Sequence, residues 1–196
     1  MRKLILAAFL LSVGVVAGEQ SPDIEVLRGE AQLLVRQFVG QLKPQLQQAM
    51  QEGGPVQAIA VCSTVAPGIA DALSENSGWQ VRRVSLKQRN ASRAVPDPWE
   101  KQVLMDFDAR QEQGEAATTL IHDELQSESY RYMQAQIAEP LCLVCHGDNL
   151  APQVEQVLDE YYPQDMATGY QSGQVRGAVS VSRLLHEHCS EGEAEC

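Results

Sequence analysis

The chain has 196 residues, 26 acidic and 15 basic, giving a formal charge of -11. That acidity argues against nucleic acid and anionic membrane surfaces as partners. The length supports one ordinary domain, and only 5% aromatic residues are available to fill its core.

Residues 1–18 read as an export signal. Arg2 and Lys3 precede the apolar run Leu4 to Val16, and Ala17 and Gly18 offer small residues for cleavage. The run is too short for a comfortable membrane span, and no later stretch reads as apolar for long enough. Membrane attachment is therefore expected only through an uncleaved leader. Losing the leader removes Arg2 and Lys3, takes the charge from -11 to -13 and leaves about 178 residues. The expected location is the periplasm, where disulfides persist.

Ile24 to Gln51 carries apolar residues at helical spacing, with Pro44 placed to bend the helix. Gly53-Gly54-Pro55 should end it and start a second helix over about Val56 to Ala66. Ile59, Cys62 and Ala66 share one side of that helix, so Cys62 is directed inwards. Pro67 should break the helix, with a further turn reaching Leu73. Val81 to Leu86 alternates as a strand, Arg82, Val84 and Leu86 against Arg83, Ser85 and Lys87. Asp97, Pro98 and Glu100 spell a capping box that opens a helix to about Gln113.

Leu120 to Leu125 reads as a short strand or helix, and Tyr130 to Ile137 as a strand. A helix over Ala151 to Tyr161 and a last strand over Gly177 to Leu185 complete residues 19–185. The order predicts an α+β domain with an antiparallel sheet and an N-terminal helical segment. Residues 186–196 read as an acidic flexible tail. Its His186, His188 and Cys189 lack the second anchor that a metal site needs.

Cys142-Leu143-Val144-Cys145-His146, in the loop after the Tyr130 strand, is the C-x-x-C-H pattern of covalent haem attachment. Each thiol can add to one haem vinyl group, and the next residue then offers an imidazole to the iron. A C-x-x-C redox pair would not need the histidine, and a zinc site would need a second ligand pair that the sequence does not show. One covalently attached haem c is the expected cofactor. Three cysteines remain. Cys189 and Cys196 could close a small disulfide loop, which leaves Cys62 alone. Buried haem propionates need cationic partners, and Arg82 and Lys87 are the first candidates among Arg82, Arg83, Lys87, Arg89 and Arg176.

Most small c-type cytochromes are all-helical with an early haem motif, whereas here the motif is late and strands surround it. The chain resembles the single-haem c-type domain family with a PAS-like fold, found as exported proteins and as sensing regions of membrane signalling proteins. The resemblance rests on Gly53-Gly54-Pro55, Val61-Cys62 with Ala66-Pro67, and Trp79 to Asn90 (WQVRRVSLKQRN). It continues through Pro96 to Glu100, Arg131-Tyr132-Met133, Cys142 to Gly147 and Arg176 to Ser180. Ala91 stands where the family's pattern has proline.

The resemblance implies a PAS-like sheet flanked by helices. It also implies that Cys62 binds the iron opposite His146. Met105, Met133, Met166, His122, His186 and His188 are the alternatives that the residues leave open. A thiolate ligand predicts a low reduction potential. The first function expected is electron transfer to a protein partner that the sequence does not name. The alternative, suggested by the family, is a redox or diatomic-gas sensor whose thiolate leaves on reduction. An enzyme is not expected, because a peroxidase would need an open iron position and a distal acid-base pair.

Overall fold

The computed structural model describes residues 23–185. The predicted leader, within residues 1–22, and residues 186–196 with His186, His188, Cys189 and Cys196 lie outside the described residues. The Asp23 carboxylate opens helix α1 (Ile24–Ala60) by accepting from the Glu25 N–H at 2.9 Å. The predicted stop after Gln51 is a kink. Gly54 adopts φ 68° and ψ -161°, a conformation that glycine enters without a Cβ penalty, and Pro55 resumes the helix.

The predicted break at Pro67 is absent. Val61–Val65 form a π turn closed by the Ala66 N–H on the Val61 carbonyl, and α2 (Ala66–Ser77) follows directly. Pro67 has no N–H to offer the preceding turn, and a widened turn is where a helix absorbs such a loss. Gly78, at φ 73°, ends α2. Within Ile24–Ser77 one 18-residue window reaches a mean hydropathy of 1.5, so a stretch beyond the leader does meet the length and composition of a span. Ala66, Ile69 and Ala70 of this run are buried against the sheet.

Strands β1 (Gln80–Val84), β2 (Ile121–Leu125), β3 (Ser129–Ile137) and β4 (Val175–Leu184) form one antiparallel sheet in the order β1-β4-β3-β2. Period-two alternation divides their side chains between two faces. On one face Val81, Tyr132, Val179 and Val181 meet Leu34 and Phe38 of α1 and Ile69 of α2. On the other, Val84, Met133 and Ala178 meet Val103, Leu104 and Phe107 of α3 (Pro98–Glu112). Burying a side chain such as Phe38 or Phe107 contributes about 1.5–3 kcal/mol.

The predicted capping box is present. Asp97 accepts from the Glu100 N–H at 2.8 Å, and Glu100 accepts from the Asp97 N–H at 2.9 Å. Two short helices, α4 (Pro140–His146) and α5 (Pro152–Tyr161), pack against α1. The segment with the two cysteines, expected as a loop, is thus helical. The architecture is α+β, a PAS-like antiparallel sheet flanked by helices with a long N-terminal helical segment.

Candidate functional site

Helix α4 starts at Pro140, which suits a first turn because it lacks an N–H. Cys142 and Cys145 are three residues apart and His146 is four beyond Cys142, so all three share one side of the helix. Gly147 ends it in extended conformation, and its N–H donates to the Leu143 carbonyl at 2.9 Å. A Cβ at 147 would sit 2.6 Å from that carbonyl oxygen, which makes glycine the residue that fits. The loop before β4 docks on this terminus. Gly169 N–H donates to Gly147 O at 2.8 Å and Tyr170 N–H to His146 O at 2.9 Å. Ile59 of α1, Val154 and Leu158 of α5, and Tyr162 form a small apolar cluster against which Cys145 packs.

Cys62, Cys142, Cys145 and His146 all line one cleft of about 1270 Å³, its open mouth included. Leu42, Leu46, Met50 and Ile59 from α1 form part of its apolar wall. Arg82, Arg83, Lys87, Arg89, Arg93 and Arg176 bring positive charge to it. His146 is 8% exposed, and its Nδ1 lies 2.7 Å from the Ala167 carbonyl. A carbonyl only accepts, so the proton sits on Nδ1 and the lone pair on Nε2. Burial, then the nearby Arg89 charge, pushes the His146 pKa down to about 3. The ring is therefore a neutral imidazole at ordinary pH, the form that binds a metal.

Cys62 sits in the π turn. Burial raises its thiol pKa, against the opposing pull of Arg83 and Arg89. Burial likewise raises Cys142, and takes Cys145 up to about 11. Among the described residues the three are free thiols, and a metal ion is what would deprotonate Cys62 outright.

Alternation places Arg82 and Arg83 on opposite faces of the sheet. Arg82 turns to the α3 side, where it donates to the Val95 carbonyl and lies 3.7 Å from Glu100. Its Nε is buried without a hydrogen-bond partner among the described residues. Lys87 donates to the Thr168 carbonyl at 3.2 Å and lies 4.9 Å from the Tyr170 ring centroid. Arg83 faces the α1 side with Cys62, donates from Nε to Gln136 at 3.0 Å and lies over the Phe38 ring. Arg89 donates to Asp165 at 3.0 Å and to the carbonyls of Cys145 and Ala167.

Met133 is fully buried on the α3 face, across the sheet from Arg83. His122 packs edge-on against Trp99 at 5.7 Å, and Met105 and Met166 are half exposed. None of these four lines the cleft. Sequence reasoning passed over Met50, which does line it. Its signal was the spacing Leu42, Leu46, Met50, one residue per helical turn. The turn after Asn90 closes without the family's proline, as Arg93 and Ala94 N–H groups both donate to the Asn90 carbonyl.

The donor set fits a haem. It offers two thiols one helical turn apart, a neutral imidazole beside them, a third thiol, an apolar wall and cations for two carboxylates.

The "Tll0287-like" family model matches residues 19–183 of this chain. Among solved structures, that of the cyanobacterial heme-protein Tll0287 matches with a TM-score of 0.62 and 22% identity. The match covers 85% of this chain and 97% of that one, and the likeness is one of fold. None of the curated proteins matches this chain.

Proposed function

The chain belongs to the Tll0287-like family, and from that premise we propose that it is an exported single-haem c-type cytochrome that transfers electrons at low potential. The carrying observation is that Cys142, Cys145, His146 and Cys62 line one cleft. When bound, haem supplies a one-electron iron couple. Cys142 and Cys145 would hold it covalently, each S–H adding across one vinyl C=C with no atom lost. His146 offers Nε2 to the iron, with its ring orientation fixed by the Ala167 carbonyl. Cys62 would be a second residue to hold the iron, losing its proton to do so, and a thiolate there would disfavour reduced iron relative to a Met ligand. With His146 and Cys62 both used to hold the group, this reading assigns the chain no enzymatic role. The acidic surface suits a basic protein partner.

The test is intact mass and optical spectra of protein made with haem-attachment machinery. The expected result is the polypeptide mass plus one haem, resistant to acid-acetone, with a low-spin spectrum and a midpoint below that of His/Met cytochromes. A bare polypeptide mass would end the proposal.

The π turn marks Cys62 as a functional position without choosing between roles, so a sensor whose Cys62 thiolate would leave on reduction is the second reading. Carbon monoxide binding to the reduced protein would select that reading, and its absence would select electron transfer.

A further inference from the structure

Arg89 is the most heavily engaged arginine around the cleft. Its side chain and that of Asp165 are 10% and 11% exposed, and their ion pair closes at 2.9 Å. From this anchor the guanidinium donates to the Cys145 carbonyl, and at 3.2 Å to the Ala167 carbonyl. That same Ala167 oxygen is 2.7 Å from His146 Nδ1. The guanidinium also lies 3.5 Å from His146 Nε2. One buried cation therefore fixes the motif's backbone, shares the histidine's hydrogen-bond acceptor and sits beside its ligating atom.

We infer that Arg89, held by Asp165, is a positioning residue that sets the donor strength of His146. The inference rests on the haem reading above. A carbonyl that accepts from Nδ1–H makes the imidazole a stronger donor to a metal. A guanidinium donating to that carbonyl competes for its lone pairs and weakens the effect. Its fixed charge, little screened at this burial, also favours the reduced iron. Asp165 opposes that charge from farther away. The two residues thus pull the iron couple in opposite directions.

The experiment is a potentiometric titration of the haem-loaded chain with dithionite, which supplies the one electron that turns Fe(III) to Fe(II). Arg89→Gln should shift the balance about tenfold towards the oxidised form, about 59 mV for a one-electron couple. Asp165→Asn should shift it the other way. Arg89→Lys, which keeps the charge, should recover most of the native midpoint. If one variant does not mature, the sign of the other decides. A structural role alone would move both variants the same way. A loaded native chain whose variants shift together, or not at all, overturns the inference while leaving the haem reading intact. A native chain without the haem mass sinks the haem reading, and the inference with it.

Discussion

The two faces of the sheet carry different kinds of polar chemistry. On the α3 face, Glu100 is 1% exposed and lies 3.7 Å from both Arg82 and Arg131. Arg131 also pairs with Asp97 at 2.6 Å and lies over the Trp99 ring at 4.2 Å. One buried carboxylate there answers two arginines, although Arg82 and Val84 at the end of β1 also reach the cleft. On the α1 face the sheet and helices part to form the cleft, and its ionisable groups include three free thiols and a neutral imidazole. One face answers to packing, the other to a ligand. Substitutions on the two faces should therefore separate stability from spectrum.

The largest effect is expected from Cys142→Ala with Cys145→Ala. Covalent haem should be lost entirely, as read by intact mass. Next, Cys62→Ala should convert a low-spin spectrum to a high-spin one in the oxidised protein, and an unchanged spectrum would remove Cys62 from the site. On the opposite face, Glu100→Gln leaves two partly buried arginines without their shared carboxylate. It should cost about 1–3 kcal/mol in urea unfolding while the haem spectrum stays native, because Arg131 keeps Asp97 and Arg82 keeps the Val95 carbonyl. Met133→Leu conserves volume and should cost less than about 1.5 kcal/mol, again with no spectral change. A spectral change there would make Met133 a ligand and erase the contrast between the faces.

The smallest effect is on acid stability. Burial raises the Asp97 pKa, but the Glu100 N–H, Arg131 and the Trp99 N–H outweigh it, so its value lies below the ordinary 3.8. A depressed carboxylate stabilises the fold above the unfolded value and loses that stabilisation as pH falls through the folded value. Acid unfolding curves of Asp97→Asn should be flatter than native below pH of about 4.

Much of this is legible in the sequence. Asp97-Pro98 and Glu100 announced the α3 cap because capping is local chemistry. The alternation of β1 separated Arg82 from Arg83, but a period of two does not say which face meets the cleft. That depends on where α1 and α2 pack, which is long-range. The continuity across Pro67 was hidden for a related reason. Proline propensity argues for a break, and tertiary burial of Ala66, Ile69 and Ala70 overrides it. The helical form of α4 was missed because seven residues are too few for a periodicity to show. Arg89 stood out only as one charge among several until its contacts with Asp165 and Ala167 were visible.

The π turn at Val61–Val65 carries one residue more than an ordinary helix needs over the same rotation. Five π residues turn the chain about as far as four α residues, so removing one would restore a regular helix with little rotation of α2 against α1. Ile69 and Ala70 would keep their place in the core, and the change would fall on the turn itself, where Cys62 sits. The extra residue thus acts locally, on the aim of one thiol.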